Sequence, residues 1–143
     1  MNTNASKTKI KYDRLALIAL LILPILFSYL ATPVVVVKFS HEGEEDYLYI
    51  WNTQDRIYKG EMPKGGGSAI EWGHIFPDKD FFMRFDWWKK RGLQMCIDIT
   101  PKWGRKIYIY VNEVGRIDTA KTAPYVIARL KQCQGEPDPF RLR

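Results

Sequence analysis

The feature that most limits what this chain can become is an uncharged run of 23 residues, positions 15–37, reading LALIALLILPILFSYLATPVVVV. An α-helix rises about 1.5 Å per residue, so about 20 apolar residues cover a hydrocarbon core about 30 Å thick. Residues 15–33 are therefore expected to form a transmembrane helix. Pro24 is tolerated inside such a helix, where it adds at most a kink. Pro33 is expected to end it, because residues 34–39 are mostly β-branched and read as a first strand. The run is expected to persist as a signal anchor. Cleavage after Ala31 would put Tyr29 where a signal peptidase needs a small residue. With no cysteine close behind the run, a lipoprotein signal is not expected either.

Flanking charge sets the orientation. The tail, residues 1–14, carries Lys7, Lys9, Lys11 and Arg14 against Asp13, whereas Lys38 is followed by Glu42, Glu44, Glu45 and Asp46. Positive charge stays on the cytoplasmic side. The expected placement is a bacterial inner membrane with the tail in the cytoplasm and residues 34–143 in the periplasm. The net charge of +6 then divides into +3 in the tail and +3 beyond the run, where 18 basic residues face 15 acidic ones. So small an excess makes no stripe for a phosphate backbone, and no nucleic-acid partner is expected. The two cysteines, Cys96 and Cys133, both fall in the exported part and are expected to form a disulfide there.

The exported part reads as a small mainly-β domain, an antiparallel meander with a sandwich-like character. Residues 46–52 (DYLYIWN) alternate, and Asn52-Thr53-Gln54-Asp55 is a turn before 56–59. Residues 63–68 (PKGGGS) form the loosest stretch, and 69–72 another short strand. Three strands are then expected at 81–88, 93–100 and 105–112, joined by Lys89-Lys90-Arg91-Gly92 and Pro101-Lys102-Trp103-Gly104. In the second, Leu93, Met95, Ile97 and Ile99 share a face; in the third, Ile107, Ile109 and Val111 do. Period two marks these as core faces. Thr122 is expected to cap a short C-terminal helix reaching about Gln132, with Val126, Ile127, Leu130 and Cys133 on one stripe. A Cys96–Cys133 bond would pin that helix across the sheet's other face.

Enzymatic reagents are scarce. Neither His41 nor His74 has a partner at triad or metal-ligand spacing, and no G-x-S-x-G, H-E-x-x-H or P-loop occurs. The chain reads as a non-enzyme needing no cofactor or metal. Binding is the better expectation, and two features could carry it. One is Trp87, Trp88, Lys89, Lys90 and Arg91, aromatics running into a basic hairpin tip. The other is a face with Phe82, Trp88, Tyr108 and Tyr110, expected to lie under the C-terminal helix or in an interface.

Residues 49–99 add a resemblance. They run YIWNTQDRIYKGEMPKGGGSAIEW and then FFMRFDWWKKRGLQMCIDI: an aromatic strand, Asn, a short Ile-containing strand, a glycine-rich loop and an R-x-D/W strand. This looks like the small membrane-tethered periplasmic immunity proteins of type VI secretion phospholipase effectors. Such proteins carry a lipoprotein cysteine, where this chain has an apolar helix. The resemblance implies that the loop with Lys64, Gly65, Gly66 and Gly67, and the hairpin at 86–91, touch a partner. The expected function is that of a membrane-anchored periplasmic binding protein, an immunity protein blocking an antibacterial toxin. The alternative is an accessory subunit of an inner-membrane complex.

Overall fold

Pro33 is the pivot of the architecture. The computed structural model describes residues 3–100 and 106–141, with side-chain surroundings from residue 15 onward. Helix α1 (Thr3–Ala31) closes with the Thr32 amide and hydroxyl both donating to the Ser28 carbonyl. Pro33 has no N–H to continue the ladder. Four valines then open strand β1 (Val34–Phe39), since branched side chains suit a pleated surface. The remaining elements are β2 (Tyr47–Thr53), β3 (Ile57–Met62), β4 (Gly67–Trp72), β5 (Met83–Lys89), β6 (Met95–Ile99), β7 (Lys106–Val111), the single-turn helix α2 (Pro124–Ile127) and β8 (Leu130–Gln132).

Two sheets result. The smaller has the order β4-β1-β7 and the larger β3-β2-β5-β6-β8. All neighbours are antiparallel except β1 and β7, which run parallel with Val35 beside Ile107 and Val37 beside Ile109. The inward faces meet in one core. Val35, Val37, Ala69, Ile107, Ile109 and Val111 come from the smaller sheet, and Tyr49, Trp51, Phe85, Trp87, Ile97 and Ile99 from the larger. Phe85 lies at its centre, with Trp51 at 4.4 Å, Trp87 at 5.4 Å and Tyr49 at 5.7 Å between ring centroids, the tilted and offset contacts aromatic rings favour. The mainly-β domain with a short helix is thus as expected, and so is the disulfide: Cys96 and Cys133 are bonded, with their Cα atoms 5.5 Å apart.

The expected meander is corrected. β5 and β6 form its first hairpin, but β7 leaves for the other sheet. Its inward Ile107, Ile109 and Val111 complete the valine face of β1, while the free edge of β6 is taken by β8. The connection 101–105 lies outside the described residues. Leu93 is also corrected: it precedes β6 and is exposed.

The C-terminal helix shrinks to Pro124–Ile127, with Ala123 rather than Thr122 at its N-cap. The Thr122 hydroxyl instead accepts the Tyr110 amide at 3.0 Å, tying the segment to β7. Leu130 packs inward opposite Ile99 as part of β8. The disulfide consequently ties an edge strand to its neighbour rather than a helix to a sheet face.

The membrane-span expectation of 15–33 is corrected as well. Thr32 and Pro33 belong to the turn into β1, so the uncharged helical part is residues 15–31, about 26 Å long at about 1.5 Å per residue. Among the described residues no helix is long and apolar enough to cross a membrane. The large apolar side chains of this part are all exposed, from 47% at Ile22 to 82% at Tyr29. They point all round the helix, not along one stripe.

Candidate functional site

Strand parity builds the site. Alternate residues of β1 point away from the core, so Lys38 shares the outer face of the smaller sheet with Ser68 of β4 and Tyr110 of β7, its register partners. This row lies at the end of the sheet far from α1. The Lys38 ammonium stands 5.0 Å from the centre of the Tyr108 ring and 5.8 Å from that of Tyr110. Aromatic faces attract a cation in this way. Among the described residues Lys38 makes no ion pair.

Beyond Phe39 the chain turns sharply. Ser40 donates its amide to Val111, and its hydroxyl accepts the Glu42 amide. The turn aims His41 at the glycine loop, where His41 Nδ1 lies 2.8 Å from the Gly65 carbonyl. Gly65 and Gly66 both have positive φ, 84° and 104°, and a Cβ on Gly66 would come within 2.4 Å of the imidazole. Only a glycine lets this backbone lie against the ring. The loop is further held by Gly65 N–H to Gly43 and Lys64 N–H to the Asp46 carboxylate. The stretch expected to be loosest is therefore pinned at three points.

On the opposite wall, Asp118 accepts the Ala120 and Lys121 amides and faces Lys121 Nζ at 3.7 Å. Between the walls is an open cleft of about 520 Å³ with Lys38, Ser40, His41, Ser68, Tyr110 and Lys121 among its lining residues. Lys121 already has Asp118; Lys38 has only rings. A carboxylate or a backbone carbonyl from a partner loop could pair with Lys38 over the face of Tyr110.

The expected contact residues are only partly brought together. Gly67 and Tyr110 line the cleft, with Lys64, Gly65 and Gly66 on its pinned shoulder. Trp87 is corrected: it is fully buried, its indole N–H donates to the Gly115 carbonyl at 2.8 Å, and it offers a partner nothing. Trp88 is half-buried on the outer face of the larger sheet, so it shares no face with Tyr108 and Tyr110. Lys89 lies 3.6 Å from Glu45 and over the Tyr47 ring, leaving Lys90 and Arg91 as the exposed tip. Behind that tip, buried Asp86 accepts from Arg84 and from Gln94 at 2.8 Å, and the hydrogen bond to Asp86 holds the Arg84 pKa above its ordinary value.

Two polar pairs escaped the sequence reading. Glu71 is 2% exposed on the inward face of β4, bonded to Arg56 Nη2 and to the Trp72 amide. Its parity with buried Ala69 was the signal available. The second pair corrects the view of His74 as unpartnered: its Nε2 meets the Asp55 carboxylate, and its ring lies 4.5 Å from Phe81. Nothing local links 55 with 74, because their approach depends on the turn after β2 and the loop after β4. Among the described residues no three potential metal ligands cluster. Comparison with protein-family models, with curated proteins and with solved structures gave no match.

Proposed function

We propose that the chain is a membrane-tethered binding protein: the apolar part of α1 lodges in lipid as an anchor without crossing the bilayer, and the β domain captures a protein partner in the periplasm. The observation that carries this is the gradient along β1. At its near end are exposed apolar residues 15–30, and at its far end is a cleft with Lys38, which makes no ion pair among the described residues. A helix apolar on every side is at home in hydrocarbon rather than in water. The six residues of β1 put about 20 Å between the two ends. A rigid crosslinked scaffold with an aromatic–cation pair suits a tight inhibitor, because little order need be created on binding. The tether also raises the local concentration where a phospholipase toxin acts. The reading is thus an immunity protein of the kind the sequence resembles, with a toxin loop seated on Lys38 and Tyr110.

The test is survival of cells that export a phospholipase toxin to the periplasm. Protection should persist when residues 15–32 are exchanged for an unrelated anchor, and should fall at least tenfold in Lys38→Glu. If the exchange abolishes function while Lys38→Glu is harmless, the helix is the working part. The protein is then a subunit held among other membrane proteins.

A further inference from the structure

The outer face of the smaller sheet has a second property, at the end opposite the cleft. Taken in rows outward from α1, it reads Trp72, Val34 and Lys106, then Ile70, Val36 and Tyr108, then Ser68, Lys38 and Tyr110. The apolar side chains fall in the two rows nearer the helix, and the third row is polar. Trp72 is 54% exposed, and Ile70 and Tyr108 are exposed too. This face carries two lysines and no carboxylate. It meets the last turn of α1 in a concave elbow of about 540 Å³, whose walls include Tyr29, Leu30, Val36, Ile70, Trp72 and Lys106. The Gly73 amide donates to the Pro33 carbonyl, holding the end of β4 against the end of the helix.

We infer that this elbow is a seat on an anionic phospholipid surface, so that the domain rests against the bilayer instead of swinging on its tether. The inference depends on α1 being lodged in lipid, as proposed above. A water-facing protein surface rarely leaves Trp72, Ile70 and Tyr108 exposed together beside an apolar helix. Tyr and Trp prefer headgroup depth, where the ring is in apolar contact and the polar atom stays wet. Here Tyr29 and Trp72 both line the elbow. Lys106 beside Trp72 supplies the charge that lipid phosphate attracts. A protein partner would explain an apolar patch, but not its confinement to the half of the face beside the helix.

The experiment uses the full chain reconstituted into vesicles of phosphatidylcholine or of phosphatidylglycerol, with lipids brominated high on the acyl chain. Bromine quenches a tryptophan only near contact. Trp51, Trp87, Trp88 and Trp103 are common to every variant, so they cancel in the comparison and the difference reports on Trp72. The wild type should be quenched more than Trp72→Phe, and the difference should be at least twofold larger in phosphatidylglycerol than in phosphatidylcholine vesicles. Lys106→Glu keeps Trp72 and should erase the excess quenching in phosphatidylglycerol vesicles. Vesicle flotation is measured on the same samples. If the chain does not float, the anchor reading fails and the seat falls with it. If it floats but Trp72→Phe and the wild type are quenched alike, the anchor stands and the seat is refuted. The seat is also refuted if Trp72 is shielded from both bromolipid and aqueous acrylamide, since a protein then covers it.

Discussion

Replacing Cys96 and Cys133 together by alanine measures what the crosslink contributes. The bond closes a loop of 37 residues. In the chain-entropy model that loop removes enough unfolded-state freedom to stabilise the native domain by roughly 3–4 kcal/mol. Both cysteines are buried, so trimming them to alanine adds about 1 kcal/mol of lost packing. The β8 strand need not detach. Leu130 remains in the core opposite Ile99, and burying such a side chain is worth about 1.5–3 kcal/mol. The loss is therefore expected in global stability, not as local fraying of one edge. Urea unfolding of the full chain in detergent, followed by near-ultraviolet circular dichroism, is the assay. With a slope of about 1.5 kcal/mol per molar, the midpoint should fall by roughly 3 M at unchanged slope. Reduced wild type keeps both side chains and should lose only about 2–3 M. A midpoint shift below about 0.5 M would refute the entropic account, because the unfolded chain would then already be confined without the bond.

Two further predictions concern the turn after β7. Burial, then Glu45 and Glu113, push the Tyr47 phenol up to about 12. A raised phenol favours the folded state fully below its unfolded value near 10, and that stability is lost as pH climbs from about 10 through about 12. Tyr47→Phe should flatten this alkaline loss in pH-dependent urea midpoints; an unchanged slope would assign it elsewhere. Gly115 has φ of 87°, and an added Cβ would lie 2.6 Å from the Tyr47 hydroxyl oxygen. Gly115→Ala should cost roughly 2–3 kcal/mol, whereas Gly65→Ala, with similar φ but open space, should cost about 1 kcal/mol. Equal costs in urea melts would mean that Tyr47 simply moves aside.

Residue parity was legible in the sequence, and partnership between strands was not. The alternation of Ile107, Ile109 and Val111 assigned the inward face of β7 correctly, as that of Met95, Ile97 and Ile99 did for β6. Nothing in either strand says that β7 should bypass β6 for a valine strand about 70 residues earlier. Consecutive strands usually pair, and here tertiary complementarity wins over that habit. The end of the chain was ambiguous for another reason. Val126, Ile127, Leu130 and Cys133 fit a helical stripe, yet Leu130 and Gln132 also fit a strand, and the open edge of β6 with its cysteine decides for the strand. For the site, Gly67 and Tyr110 were foreseeable as candidate contacts. Lys38, His41 and Lys121 were not, because the cleft is assembled from separated segments that only the two-sheet arrangement brings together.

The parallel pairing of β1 with β7 also fixes an order of events. β1 is the first strand to be synthesised, yet its pairing is completed late. It gains β4 once residue 72 has emerged, and β7 only after residue 111. Through much of its own synthesis the chain thus carries a half-paired valine-rich strand with a bare hydrogen-bonding edge, the kind of segment that recruits other strands. Chaperone demand should peak in that interval, and chains truncated between β4 and β7 should aggregate where the complete chain does not.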